Sequence, residues 1–121
     1  MPRTVLIVDD ERDTNDILAS FVRSRGFEPI QLYTGEQVMA AVAEHKPALI
    51  LLDIMLPGFD GFALCDSLKR DRETNLIPIV MVTALEESHH RAAGVRVGAN
   101  GYLAKPFTPA QLFEAMDKAL A

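Results

Sequence analysis

Four short apolar runs in this sequence each end on polar side chains that could bind a divalent cation or a phosphoryl group. These side chains belong to Asp9 and Asp10, Asp53, Thr83 and Lys105. If the runs are parallel strands of one sheet, the side chains meet at its carboxyl edge, where open α/β sheets bind their ligands. One pocket would then contain three carboxylates, a hydroxyl and an ammonium.

The three aspartates favour a magnesium site. Asp9 and Asp10 are adjacent acids that repel each other, and taken alone the pair fits a helix N-cap at Asp10 as well as it fits a metal site. Asp53 ends an independent strand and adds a third carboxylate at the same edge, which calls for a divalent cation. Mg²⁺ fits best, because it takes oxygen ligands and commonly bridges carboxylate to phosphate.

Lys105 and Thr83 supply groups that could contact phosphoryl oxygens. A lone Lys-Pro usually marks the end of a strand, and a lone threonine at a strand end is usually only a strand former. Lys105, however, leaves its strand at the same edge as the aspartates, so we expect an ion pair with Asp53. Its ammonium suits a phosphoryl oxygen. Thr83 would donate a hydroxyl next to Ala84, which is too small to block the site.

Apolar runs alternate with segments of helical period, and this alternation predicts a doubly wound α/β fold with a parallel sheet. The five strands are predicted at Thr4–Val8, Glu28–Leu32, Leu49–Asp53, Ile79–Thr83 and Gly101–Ala104. The five helices are predicted at Arg12–Arg25, Glu36–His45, Gly61–Asp71, Glu87–Val97 and Pro109–Leu120. Because the second strand contains Pro29, it belongs at an edge of the sheet.

Two helices show their inward faces and their ends in the sequence. The first is predicted to bury a stripe of apolar residues and to stop at Gly26; the stripe is Ile17, Leu18, Phe21 and Val22. The last begins with Thr108 as N-cap and Pro109 at the first helical position. Its predicted inward face consists of Leu112, Phe113, Met116 and Leu120.

Length, composition and charge indicate a soluble globular protein. The 121 residues are 49% hydrophobic and 24% charged, which suits one domain over residues 1–121 with its own core. We see neither a signal peptide nor the roughly 18 apolar residues of a membrane span, and therefore expect a cytoplasmic protein. The net charge of −5 argues against direct nucleic acid binding by this domain. The single cysteine, Cys65, is predicted to be an inert packing residue.

Taken in order, these motifs resemble the receiver domain of two-component response regulators over essentially the whole chain. Each motif alone is weak, whereas their order and spacing together are highly specific. The residues that carry the resemblance are Asp9-Asp10, Asp53 followed by Pro57-Gly58 and Asp60-Gly61, Thr83-Ala84, and Gly98-Ala99 with Tyr102-Leu103 and Lys105-Pro106-Phe107.

The resemblance implies a flavodoxin-like strand order of 2-1-3-4-5 and a non-enzymatic phosphorylation switch that promotes its own phosphorylation and dephosphorylation. Asp53 would take a phosphoryl group from a phosphohistidine on a sensor kinase or phosphotransfer protein. Asp9, Asp10, Asp53 and the backbone carbonyl of Met55 would hold Mg²⁺, and Lys105 and Thr83 would bind the phosphoryl oxygens. The Lys105–Pro106 peptide is expected to be cis.

The resemblance also implies a second conformational state. Thr83 would move toward the phosphoryl group and Tyr102 would rotate into the space it leaves, which changes the face formed by Glu87–Val97, Gly101–Ala104 and Pro109–Leu120. That face would contact a downstream effector domain or protein. The alternative for Tyr102 is a strand aromatic with its hydroxyl at the surface.

Some residues depart from the family pattern or compete with it. Asn100-Gly101 stands where many members carry an acidic pair, which argues against the dimer that such members form. His89 and His90 are adjacent helix positions that point in different directions, so we interpret them as solvated residues and not as a site.

The surroundings of the predicted pocket suggest where a kinase docks and how long the phosphoryl group lasts. Thr14, Ile17, Pro106 and Phe107 border the pocket and are the predicted kinase contacts. Met55 and Leu85, two positions beyond Asp53 and Thr83, are apolar and should exclude the attacking water, which predicts a long-lived phosphorylated form.

Two other classes remain as alternatives. A magnesium-dependent phosphohydrolase that uses an aspartyl phosphate would need a second acid soon after the nucleophile and a cap over the pocket. A flavodoxin-like cofactor binder would need a phosphate-binding loop after the first strand, where Asp9-Asp10-Glu11 would repel the phosphate.

Overall fold

The centre of the protein, seen in a computed structural model that describes residues 3–84 and 98–121, is a sheet of five parallel strands. In chain order the strands are β1 (Thr4–Val8), β2 (Glu28–Leu32), β3 (Leu49–Asp53), β4 (Met55–Leu56), β5 (Phe59–Asp60), β6 (Ile79–Ala84) and β7 (Gly101–Lys105). The five-stranded sheet has the order β2-β1-β3-β6-β7, and β4 and β5 form a separate hairpin. Within this sheet β6 and β7 are the fourth and fifth strands along the chain, so the predicted flavodoxin-like order of 2-1-3-4-5 is confirmed.

The strand positions follow from the distribution of apolar residues. β3 is buried along its whole length, as expected for a strand covered on both faces. β2 is only partly buried and lies at an edge, where Pro29 pairs in register with Val5. Proline is tolerated there because an edge strand has one side without a ladder partner.

Four α-helices are described, and their bounds lie within two residues of the predicted ones. They are α1 (Arg12–Ser24), α2 (Val38–His45, preceded by a 3₁₀ turn at Gly35–Gln37), α3 (Gly61–Arg70) and α4 (Pro109–Leu120). The predicted helix at Glu87–Val97, with His89 and His90, lies outside the described residues, as does Leu85. Across the described part of the chain, no helix is long and apolar enough to cross a membrane.

The core has two layers, one on each face of the sheet. Val5 and Ile7 of β1 pack with α1 and α4, whereas Leu6 and Val8 pack with α2 and α3. Alternate residues of a strand point to opposite faces, so an unbroken apolar strand contributes to both layers. Cys65 lies in the layer that contains α2 and α3 and is fully buried. Burial raises the pKa of its thiol to about 11. This burial agrees with the predicted packing role of Cys65.

The predicted buried stripe of α1 is wrong at Ile17. The buried residues are Asn15, Leu18, Ala19 and Val22, and Ile17 is 49% exposed. Positions 15, 18, 19 and 22 form one helical face, and position 17 lies about 200° around the helix from position 15. A polar residue therefore occupies a place on the inward face that the sequence pattern assigned to an apolar one.

The ends of α1 and α4 follow the predicted signals. Gly26 follows α1 with φ +86°, a conformation that glycine adopts without strain. Thr108 Oγ1 accepts a hydrogen bond from Gln111 N at 3.1 Å, and Gln111 Oε1 accepts one from Thr108 N at 2.9 Å. This capping box starts α4 three residues after β7 ends. The Lys105–Pro106 peptide between them is cis, as the resemblance implied.

Candidate functional site

The carboxyl edge of the sheet brings together the side chains that the sequence singled out. Asp9 directly follows β1, Asp53 ends β3, Thr83 lies near the end of β6 and Lys105 ends β7. Because these four strands are adjacent and parallel, their ends meet at one edge. Asp9 is only 1% exposed and Asp53 only 5%, and Thr83 is also buried.

Three carboxylates form a group that could hold a metal ion. Asp9, Asp10 and Asp53 each offer an oxygen, and these oxygens lie within 4.8 Å of one another. Asp10 is exposed while the other two are buried, so the group opens to solvent on one side. An all-oxygen donor set with an open side fits Mg²⁺, which keeps several waters when it binds protein carboxylates.

Asp10 is not the cap of α1, which was the alternative to a metal site. The N-cap is Glu11, and its side chain makes no capping hydrogen bond. Instead, Glu11 N donates to Asp9 Oδ1 at 2.9 Å. The structure therefore excludes the explanation of Asp10 as the N-cap of α1.

Asp9 and Asp53 each accept a backbone hydrogen bond with one carboxylate oxygen and direct the other oxygen into the pocket. Asp9 Oδ1 accepts from Glu11 N, and Asp53 Oδ1 accepts from Met55 N at 3.2 Å. Both donors lie two residues further along the chain, the usual arrangement of an aspartate that folds over its own turn. The two Oδ2 atoms both face the Lys105 ammonium.

Among the described residues, Lys105 is the cation that lies in the pocket, and it pairs with more acids than we predicted. Its Nζ lies 2.9 Å from Asp9 Oδ2, 3.4 Å from Glu11 Oε1 and 3.6 Å from Asp53 Oδ2. The expected ion pair with Asp53 is thus present, but Asp9 is the closer partner. Glu11 was not among the predicted site residues. The third consecutive acid in Asp9-Asp10-Glu11 was the signal that could have found it.

Burial and charge raise the pKa of Asp53 from an ordinary 3.8 to about 6. Burial is the largest cause; the Lys105 ammonium opposes it, and the neighbouring Asp9 carboxylate reinforces it. Burial lowers the pKa of Lys105, but the hydrogen bond to Asp9 and the charges of Asp53 and Asp9 outweigh this effect and raise it. The lysine therefore stays charged, while Asp53 ionises at a free-energy cost.

Asn15 is a second polar residue near the site, after Glu11, that sequence reasoning missed. It is completely buried in α1, and its side-chain amide donates to the carbonyl oxygens of Asp9 and Leu32 at 3.0 and 2.9 Å. Its place on the same helical face as Leu18, Ala19 and Val22 could have revealed it. A lone amide on an otherwise apolar stripe needs hydrogen-bond partners in the interior.

The two predicted switch residues lie on neighbouring strands. Thr83 pairs in register with Ala104, and Tyr102 pairs with Met81. Tyr102 is partly buried against the core layer that contains α2 and α3. Its hydroxyl oxygen is buried, so the alternative of a surface hydroxyl does not describe this residue.

The four predicted kinase contacts differ in their exposure to solvent. Ile17 and Pro106 are exposed, whereas Thr14 and Phe107 are partly buried. Phe107 packs against the core layer that contains α1 and α4. Asn100, one of the departures from the family pattern, accepts a hydrogen bond from Ile79 N at 3.0 Å through its side chain.

The hairpin of β4 and β5 borders Asp53 and was not predicted. Met55 pairs with Asp60 and Leu56 with Phe59, and the turn uses Gly58 at φ +73°. Asp60 then caps α3, because its Oδ1 accepts from Phe62 N at 2.9 Å. The Pro57-Gly58 pair was visible in the sequence, but two-residue strands are too short to show a period.

Comparison with known proteins places this geometry in one group. Residues 5–117 match the family described as response regulator receiver domain. The phosphate regulon transcriptional regulatory protein PhoB of Pseudomonas aeruginosa is 41% identical over 118 residues, which cover 98% of this chain and 52% of PhoB. The transcriptional regulatory protein BaeR of Escherichia coli is also 41% identical, over 89% of this chain and 44% of BaeR.

Solved structures agree with the sequence comparison. A crystal structure of a protein from Chloroflexus aurantiacus has a TM-score of 0.94 and 35% identity, covering 99% of this chain and 98% of that one. The chemotaxis response regulator CheY4 of Vibrio cholerae has a TM-score of 0.90 and 25% identity, covering 99% and 100%. The chain thus spans the whole of these structures but only about half the length of the curated relatives PhoB and BaeR.

Proposed function

Because the chain belongs to the response regulator receiver domain family, we propose that it is a signalling switch whose Asp53 accepts a phosphoryl group in a Mg²⁺-dependent reaction. The donor would be a phosphohistidine on a sensor kinase or phosphotransfer protein. One observation carries the proposal: the buried Asp53 lies beside the carboxylates of Asp9 and Asp10, and a lysine ammonium contacts both Asp9 and Asp53.

Asp53 is the group best placed to act as the nucleophile. Its Oδ1 is held by Met55 N, and its Oδ2 faces the pocket. Oδ2 forms a bond to phosphorus while the phosphorus–nitrogen bond of the phosphohistidine breaks, and the departing imidazole nitrogen keeps the electron pair and then takes a proton from solvent. At pH 7 Asp53 is ionised, as this attack requires, because pH 7 lies above its pKa of about 6.

The rest of the pocket positions and neutralises the transferred group. The transition state spreads negative charge over the phosphoryl oxygens, so positioning and countercharge provide most of the catalysis. Mg²⁺, held by Asp9, Asp10, Asp53 and the backbone carbonyl of Met55, would supply part of this countercharge. Lys105 would shift its ammonium from Asp9 to a phosphoryl oxygen, and Thr83 would donate its hydroxyl to another.

The signal to an effector would arise from a conformational change in β6 and β7, the strands that contain Thr83 and Tyr102. Thr83 would move toward the phosphoryl group and Tyr102 would turn inward, and the surface formed by β7, α4 and residues 87–97 would change. Residues 87–97 lie outside the described residues. An open groove of about 660 Å³ between β7 and α4, lined in part by Tyr102, Gln111 and Lys118, supports this surface as the effector contact.

The partners follow from the same arrangement. Thr14 and Ile17 of α1, together with Pro106 and Phe107 just after Lys105, would contact the phosphodonor, and Pro106 also lines the groove of the effector surface. The relatives named as transcriptional regulators are about twice as long as the matched region. The prediction that nucleic acid is not bound directly therefore concerns this domain alone. The cytoplasmic location remains a prediction.

The test is phosphorylation in the absence of any partner protein. The protein is incubated with acetyl phosphate and Mg²⁺, and its intact mass is measured. We expect one phosphoryl group on the parent and on the control Asp13→Asn, whose exposed aspartate lies in the first turn of α1. We expect none on Asp53→Asn and none when EDTA replaces Mg²⁺. An adduct that persists undiminished in Asp53→Asn would overturn the assignment.

A further inference from the structure

We propose that Asn15 is a positioning residue that fixes the backbone of the β1–α1 loop and thereby presets the carboxylates of Asp9 and Asp10 for the metal. This inference rests on the proposed Mg²⁺ site. Asn15 does not touch the reacting atoms. It acts through the main chain of Asp9, which directly precedes the exposed acid of the group.

The side-chain amide of Asn15 joins the ends of two strands. Its Nδ2 donates to Asp9 O at 3.0 Å and to Leu32 O at 2.9 Å. Asp9 follows β1, and Leu32 ends β2, so both carbonyls lie at the carboxyl edge of the sheet. Leu32 O also accepts from Asp9 N at 3.1 Å. The main chain of Asp9 is therefore held at both its N–H and its C=O.

The orientation of the amide is itself fixed. Asn15 Oδ1 accepts from Gln31 Nε2 at 3.0 Å, and the same Gln31 nitrogen donates to Asp16 Oδ1 at 2.8 Å. Asn15 N donates to Glu11 O at 2.9 Å as part of the helix. Both donor hydrogens and the carbonyl oxygen of the amide thus have partners, which is the condition under which a buried amide rigidifies its surroundings.

Packing alone does not explain an asparagine at this position. The residue is fully buried and shares its helical face with Leu18, Ala19 and Val22, where an apolar side chain would bury more favourably. An apolar residue there would leave Asp9 O without its amide donor. The amide serves the loop, and the loop carries Asp9, Asp10 and Glu11, three of the acids in and around the pocket.

The experiment compares Asn15→Leu with a variant that damages the same helix elsewhere. Val22→Ala removes core volume from α1 two turns beyond Asn15 and leaves the loop untouched. Mg²⁺ affinity is measured by titration calorimetry well below both melting temperatures. Residues that support metal ligands typically change affinity 10- to 100-fold, and we expect Asn15→Leu to weaken Mg²⁺ binding ~10-fold. Val22→Ala should keep the parent affinity.

A second measurement needs no metal. Amide hydrogen exchange at Asp9 N, compared with that at Val80 N in the interior strand β6, should be at least ~10-fold faster in Asn15→Leu and unchanged in Val22→Ala, because the opening is local. If Asn15→Leu does not fold, Asn15→Ala replaces it. A water can enter the smaller side chain's space there, so the effects should be several-fold and in the same direction.

The outcomes separate this inference from the proposed function. If the parent binds Mg²⁺ and Asn15→Leu binds it equally well, the positioning role is wrong and the metal site stands. If the parent itself does not bind Mg²⁺, the metal site is wrong, and the exchange rate at Asp9 N still decides whether Asn15 fixes the loop. Equal loss of affinity in Asn15→Leu and Val22→Ala would mean that general stability controls binding, and this too would overturn the inference.

Discussion

Asp53→Asn should make the folded protein more stable, although it removes the proposed phosphorylation site. The reason is the buried carboxylate, whose pKa is about 6 in the folded protein against an ordinary 3.8. At ~1.4 kcal/mol per pKa unit, the ionised form costs the folded state about 3 kcal/mol at pH 7. Solvent screens this cost little, since Asp53 is only 5% exposed. Asparagine keeps an oxygen that can accept from Met55 N and carries no charge.

The stabilisation of the folded protein by Asp53→Asn should depend on pH. Between pH 3.8 and about 6 the folded parent holds the Asp53 proton more tightly than the unfolded chain does, so the contribution of this group to stability falls as pH rises through that window. The gain of Asp53→Asn over the parent should therefore be about 3 kcal/mol above pH 7 and close to zero at about pH 3, below the unfolded pKa of 3.8.

The assay is urea unfolding followed by far-ultraviolet circular dichroism, because the chain contains no tryptophan. It is run in EDTA at several pH values and repeated in millimolar Mg²⁺. Mg²⁺ should stabilise the parent by binding only the folded form. It should therefore close the gap in the free energy of unfolding between the parent and Asp53→Asn. Asp13→Asn, at an exposed position, should show no such gain. A gap that is absent, or that does not change with pH, would refute the reasoning about the buried carboxylate.

The remaining predictions concern the metal, the kinase and the lifetime of the phosphoryl group. Millimolar Mg²⁺ should raise the melting temperature of the parent, and the rise should vanish in Asp10→Ala; indifference of the parent to Mg²⁺ would contradict the metal site. Ile17→Glu places a charge on an exposed apolar contact. It should slow transfer from a cognate phosphohistidine at least ~10-fold while leaving labelling by acetyl phosphate nearly intact, and equal loss with both donors would indicate damage to the site. Met55→Asn should shorten the lifetime of the phosphorylated form several-fold, because a polar group at this exposed position can orient water, whereas Met55→Leu should not; equal lifetimes in Mg²⁺ would exclude control by this side chain.

The sequence predicted the sheet well because its strands have a simple environment. β1, β3 and β6 are buried on both faces and consist almost entirely of Val, Ile, Leu and Met, so their apolar runs coincide with their bounds. Once the strands are parallel, their order along the chain brings Asp9, Asp53 and Lys105 to one edge. Membership of the site therefore followed from strand ends alone.

The contacts within the site were less predictable. The choice of Lys105 between Asp9 at 2.9 Å and Asp53 at 3.6 Å depends on rotamers and on where each carboxylate turns its free oxygen. Asn15 and Ile17 illustrate the same limit on α1. The helix is oriented in part by the hydrogen bond from Asn15 to the carbonyl oxygen of Leu32, which lies 17 residues further along the chain. Such a tertiary contact leaves no local periodic signal.

The measurement that tests the central claim most directly is the chemical identification of the phosphorylated residue. The protein is labelled with acetyl phosphate and Mg²⁺, reduced with borohydride, which converts an aspartyl phosphate to homoserine, and digested for peptide mass spectrometry. The account predicts homoserine at position 53 and unchanged aspartate at positions 9 and 10. Homoserine at Asp9 or Asp10, or an intact phosphoryl group on His89 or His90, would contradict it.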